Sequence, residues 1–181
     1  QEHVKHCEQC QLAKGTKPSR HGLYLGHRWT NPTEHITMDL IGPLHSTEPG
    51  SSMPTYIWVA LDPSCHFIWI EGIYGKGAEE VAASFIERIL LEDGAPLSIL
   101  TDNGREFRNK LMAAAMRILA VEHQFTPAYH PRGNRTERVN RWIGDTLRTI
   151  TAHPSVRAVD WPRFVKHLEF AYRRLPIPGT N

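Results

Sequence analysis

Cysteine is scarce: Cys7, Cys10 and Cys65 are the only three in a chain of 181 residues. Three cysteines build no disulfide framework at this length, which excludes the small stapled folds and points to a reducing intracellular compartment. Long apolar runs are also lacking. None approaches the ~20 residues that a bilayer-spanning helix needs, so no membrane partner is expected. No internal repeat or low-complexity tract appears, which excludes solenoids and arrays. A basic-then-apolar leader is missing from a chain that starts at Gln1, and "LPIPGTN" at the other end finishes no element. The expectation is a segment of something longer. Strong net charge is absent too, with 21 Lys and Arg against 19 Asp and Glu.

What is present describes one well-buried domain with some extra at the ends: 40% hydrophobic and 22% charged residues over this length. The charge is unevenly spread. Residues 105–150 hold nine Lys or Arg and four Asp or Glu, a basic half that suits a polyanion held on one face. A basic face that is merely solvated gives the same count. Cys7 and Cys10 form a C-x2-C knuckle, half of a common zinc site. His3 and His6 stand beside it, but His6 abuts Cys7, and four ligands within eight residues would be cramped. A zinc ion is therefore expected only if the other half-site lies upstream of Gln1.

The hydrophobic pattern orders the elements. Residues 11–34, rich in Lys, Gly, Pro, Ser and His, read as a linker. "HITMDLIGPL" (35–44) reads as a strand ended by Gly42 and Pro43, and "TYIWVALD" and "FIWIEGI" as two more around the turn "PSCH". Val81, Phe85 and Ile89 fall at i, i+4 and i+8, so 78–92 is an amphipathic helix stopped by Gly94 and Pro96. The strand "LSIL" follows, then the helix "KLMAAAMRILA", a short strand near "VEHQFT" and the loop "PAYHPRGN". A long helix spans about Asn134 to Thr151, and Asp160 with Pro162 opens a last one whose Phe164, Leu168, Ala171 and Tyr172 face inward. This order, βββ-α-β-α-β-α-α, predicts an α/β fold with one mixed five-stranded sheet and helices on both faces.

Three carboxylates draw the chemistry. Asp39 stands in the middle of the first strand between Met38 and Leu40, where burial is costly unless the charge is paired or binds a cation. Asp102 ends the fourth strand, directly before Asn103 and Gly104. It is either a turn former, bonding the backbone two residues on, or a ligand at the rim of the sheet. If strands one and four are neighbours, the two meet at one end. Glu137 shares a stripe of the long helix with Arg141, Gly144 and Arg148, opposite Val139, Ile143, Thr146 and Ile150. Its alternatives are a surface pair with Arg141 or a capping box with Asn134. Three carboxylates around one spot repel each other without a counter-ion, and oxygen-only ligands favour Mg2+ or Mn2+. Two such ions serve phosphoryl transfer, and with a basic face beside them a nucleic-acid phosphodiester is the natural substrate.

"HITMDLIGPL", "FIWIEGI", "ILTDNGREF", "FTPAYHPRGN" and "ERVNR", in this order, resemble the catalytic core of a retroviral or gypsy-type retrotransposon integrase, a member of the DDE group. "CEQCQLAKG" looks like the tail of that family's amino-terminal zinc-binding module, and "WPRFVKHLEFAYRR" like its closing helix. The resemblance implies a ribonuclease H-like fold and a catalytic, metal-binding triad of Asp39, Asp102 and Glu137 serving two Mg2+ or Mn2+ ions. It implies 3′-end processing and strand transfer of element DNA into target DNA, a homo-oligomer, and action in the nucleus after cytoplasmic transit. The division that follows is 1–14 zinc-module remnant, 15–34 linker, 35–175 catalytic core and 176–181 a truncated extension. DNA contacts are expected from Arg141 and Arg148, with Arg138, His130, Arg132 and Asn134. Two departures stand out: the module's paired histidines are absent, and "NRTE" is one residue short and lacks the family's Gly-Gln. The competing functions are a decayed or domesticated nucleic-acid-binding module and a ribonuclease H-type nuclease.

Overall fold

The computed structural model describes residues 31–44, 53–126 and 136–176. The half zinc site at Cys7 and Cys10, the linker residues 15–30, and His130, Arg132 and Asn134 lie outside the described residues. Five strands form one sheet: β1 His35–Ile41, β2 Tyr56–Leu61, β3 Ile68–Ile73, β4 Ser98–Thr101 and β5 Glu122–Phe125. Their order is β3-β2-β1-β4-β5, the topology of a ribonuclease H-like fold. β1, β2 and β3 pair antiparallel, whereas β4 runs parallel to both β1 and β5.

Strand alternation divides the core in two. Ile36, Met38, Trp58, Ala60 and Trp69 point to one face, where they meet Val81, Phe85 and Ile89 of helix α1 (Ala78–Phe85 and its continuation) and Met112 and Met116 of α2 (Lys110–Ile118). Ile57, Val59, Leu61, Ile68 and Ile70 point to the other, against Val139, Ile143 and Leu147 of α3 (Thr136–Thr151). Trp161, Val165 and Leu168, from the 3-10 turn Ala158–Phe164 and helix α4 (Val165–Tyr172), close that second face. Thus β2 is apolar on both sides because both sides are covered. No helix among the described residues is long and apolar enough to cross a membrane.

The predicted helix over 78–92 is present but not uniform. Its α-helical start widens into a π-helical stretch, Ile86–Leu90, before Leu91–Asp93. The last helix differs from expectation at Ala171, which is exposed. Trp161 and Val165 bury instead, because within α4 the stripe of Val165, Leu168 and Tyr172 is turned about 100° away from Ala171. Gly42 ends β1 with φ +140, and a Cβ there would sit 2.7 Å from Tyr56 Cδ1, so the position needs glycine.

The outer edge of β3 is sealed by side chains from α4 and from Arg173, which caps that helix. Glu169 Oε2 accepts from Ile70 N–H at 3.0 Å, and Arg173 Nε donates to Ile68 C=O at 2.9 Å. Glu169, 6% exposed, also takes Arg88 at 2.9 Å and Arg173 at 2.7 Å. Arg88 projects from the π-helical stretch on the opposite face, so one carboxylate ties both layers across the strand.

Candidate functional site

The parallel pairing of β1 with β4 sets the site. Registered pairs run His35–Ser98, Ile36–Ile99 and Thr37–Leu100. Continued two steps, the register brings Asp39 beside Asp102, just past the end of β4. Asp39 alternates onto the sheet face that α3 covers, because Met38 on its other side belongs to the α1–α2 core. The two aspartates thus meet at one rim, as the sequence predicts if these strands are neighbours.

Each aspartate is held by local bonds. Asp39 Oδ1 accepts from Leu40 N–H at 2.8 Å, and its Oδ2 accepts from Asn140 Nδ2 of α3 at 2.8 Å. Asp102 Oδ1 accepts from Gly104 N–H at 2.9 Å. It is a turn former and a rim carboxylate at once. The turn it makes carries Glu106 back toward the rim. A Cβ on Gly104 would lie 2.8 Å from Glu106 Oε1 and 2.9 Å from Asp102 Oδ1, so both carboxylates flank one point and a side chain there would push them aside.

Burial pushes the Asp39 carboxyl above the usual carboxylate range. The Leu40 N–H and the Asn140 amide oppose the shift, while the negative charges of Asp102 and Glu106 add to it. A carboxylate raised by neighbouring carboxylates is relieved by a cation. The donor set around it is all oxygen, the type that hard divalent ions take. Asn140 Oδ1 is buried beside Asp39 with no hydrogen-bond partner among the described residues, one more oxygen suited to an ion or its bound water. The residues present therefore fit Mg2+ or Mn2+ in donor chemistry. Among the described residues, however, no three His, Cys, Asp or Glu side chains stand together as a metal-holding group.

Glu137 stands apart from the aspartates. Its side chain is 58% exposed and pairs with Arg141 Nη2 at 3.2 Å, one turn along α3. This is the surface pair of the sequence reading; the capping box falls on Asn134, which lies outside the described residues. Arg141 and Arg148 are exposed on the same stripe, Arg148 pairing with Asp145 at 2.7 Å, and Arg138 is exposed beside it. α3 thus reaches Asp39 through Asn140, three residues beyond Glu137.

Sequence reasoning missed Asn140 and Glu106. The helical wheel held a signal for the first, since an amide at i+3 from Glu137 lies on the flank turned toward the buried stripe. Nothing in the periodicity marks Glu106, whose placement comes from the turn at Asp102.

No family model matches the chain. It is similar to the retrovirus-related Pol polyprotein from transposon 412 of Drosophila melanogaster, at 24% identity over 140 residues, 77% of this chain and 11% of that protein. It is also similar to the transposon Tf2-3 and Tf2-4 polyproteins of Schizosaccharomyces pombe, each 28% identical over 159 residues, 86% of this chain and 12% of the relative. This is distant similarity to retrotransposon polyproteins, over a region consistent with an integrase core. The chain spans about a tenth of the length of the curated relatives it matches.

Proposed function

We propose that this chain is the catalytic core of a retrotransposon integrase, which processes the 3′ ends of element DNA and joins them to target DNA by transesterification. The observation that carries the proposal is the pair Asp39 on β1 and Asp102 just past the end of the adjacent parallel strand β4, with α3 latched to Asp39 through Asn140. The distant similarity to retrotransposon polyproteins supports the same reading.

Asp39, Asp102 and, once freed from Arg141, Glu137 would hold the ions. When bound, two divalent ions activate an attacking oxygen and stabilise a leaving one. The chain's own residues position them. The Leu40 N–H and the Asn140 amide fix both oxygens of Asp39, and the Gly104 N–H fixes Asp102. Arg138, Arg141 and Arg148 offer a basic helix face to the phosphate backbone, which positions a duplex without reading its sequence. DNA as partner, a homo-oligomeric assembly and nuclear action belong to this proposal.

The Glu137–Arg141 pair favours a second reading, a nucleic-acid-binding module without catalysis. Incubating the protein with a short duplex carrying an element-like end and Mn2+ separates the two. Integrase activity yields longer strand-transfer products, lost on chelation. Binding with no product supports the module.

A further inference from the structure

The two edges of the sheet are finished differently. On β3 the outward N–H of Ile70 and C=O of Ile68 are occupied by Glu169 and Arg173. Along β5, the N–H of Glu122 and of Thr126, just past the strand, turn inward to the carbonyls of Leu97, just before β4, and Thr101 of β4. In a parallel ladder alternate residues face the neighbouring strand, so His123 and Phe125 turn their N–H and C=O outward. Among the described residues these groups meet no partner. Proteins usually blunt such an edge with charge, proline or a covering element, as β3 does here.

Beside the β5 edge, toward α2, lies an open hollow of about 410 Å3. Phe107, Met116, Val121 and Phe125 supply its apolar wall, and Arg108 and Arg117 also line it, with no acidic residue among its lining. Arg117 is exposed and pairs with no carboxylate among the described residues. Arg108 stacks over the Phe125 ring at 5.5 Å, and among the described residues its guanidinium donates only to Asn103 Oδ1, at 3.2 Å. The side chains of His123 and Phe125 line the same hollow. A strand added at their backbone would place every second side chain there.

We propose that β5 accepts a sixth strand, an extended peptide of a partner protein with apolar residues at alternate positions and acidic residues flanking them. Backbone pairing would supply the affinity and the hollow the choice of side chains. The arginines set the acidic requirement. They also disfavour a second copy of this chain on the edge, since β5 against β5 would gather the Arg108 and Arg117 of both copies. The inference does not rest on the catalytic reading.

The test uses the full chain and a synthetic peptide, Asp-Thr-Leu-Thr-Leu-Thr-Asp, blocked at both ends. Expected are saturable binding and slowed amide exchange at His123 and Phe125. N-methylating one alternate set of peptide N–H groups abolishes binding, whereas methylating the other set spares it. Arg117→Glu weakens binding about tenfold, and Arg117→Lys largely restores it. Absence of binding, equal tolerance of both methylated peptides, or an unchanged affinity in Arg117→Glu overturns the proposal. Protection at His123 and Phe125 that grows with protein concentration alone would assign the edge to a second copy, and also overturns it.

Discussion

Glu169→Ala removes the one carboxylate that holds Arg88, Arg173 and the Ile70 N–H together. The Arg88 and Glu169 side chains are 16% and 8% exposed, so neither charge can turn to bulk water without moving. Breaking such a pair from one side costs about 3–5 kcal/mol. Arg88 keeps Glu92 at 2.9 Å and Arg173 keeps the Ile68 carbonyl and the Phe67 ring face, which favours the lower end, about 3 kcal/mol. For a domain of this size that is a fall of about 6–12 °C in melting temperature. Glu169→Gln retains an acceptor for Ile70 N–H and should recover about 1–2 kcal/mol of the loss. Thermal and urea unfolding followed by circular dichroism measure both variants. Because the network is shielded from solvent, the difference from wild type should persist at high salt. A loss below about 1 kcal/mol in Glu169→Ala, or one that salt erases, refutes the reasoning.

Asp39→Asn should abolish strand transfer yet leave the metal-free protein as stable as wild type or more so at neutral pH. The folded carboxyl is held above its unfolded value, so its favourable contribution exists at low pH and is lost as pH rises through the folded value. The variant's stability advantage should therefore shrink on acidification, and Mg2+ should raise the melting temperature of wild type only; an active Asp39→Asn protein would sink the assignment. Arg141→Ala or Arg148→Ala should weaken DNA binding alike across sequences and lower the salt slope by about one, as read by fluorescence anisotropy at several salt concentrations; a sequence-selective loss contradicts backbone docking. Asn140→Ala should leave folding cooperative but reduce strand transfer more than DNA affinity, because it frees one oxygen of Asp39 rather than a phosphate contact. Equal losses in both measurements would place Asn140 on the DNA instead.

Much of the fold is legible because the apolar runs are short, bounded and differently phased. "YIWVAL" and "IWIEGI" have the length and content of covered strands, and Val81, Phe85 and Ile89 keep the helical period that buries them. Asp102 is legible as a rim residue because it breaks such a run. The last helix is misread at Ala171 because the wheel is phased from Phe164, whereas the α-helix starts at Val165 and buries the stripe through Val165 and Leu168. Glu106 is hidden for a different reason: its place depends on the Asp102–Gly104 bond, a tertiary consequence of two residues whose turn chemistry alone fixes no direction. The Glu169 network escapes too, since its partners on β3, the π-helical stretch and α4 are far apart along the chain.

The β1–β4 pairing has a kinetic side. His35 and Ser98 are 63 positions apart, and the strands between them pair locally as hairpins. Closing that long loop is entropically slow compared with hairpin closure. β1, β2 and β3 can therefore zip together while Asp39 still lacks Asp102, and the rim comes into being only at the late, non-local step. Packing changes at Ile36 or Ile99, which sit opposite each other in that step, should slow refolding more than equal losses at Val59 or Ile70. During synthesis the same order means that a chain released before residue 102 has emerged carries one aspartate of the pair and no rim to charge.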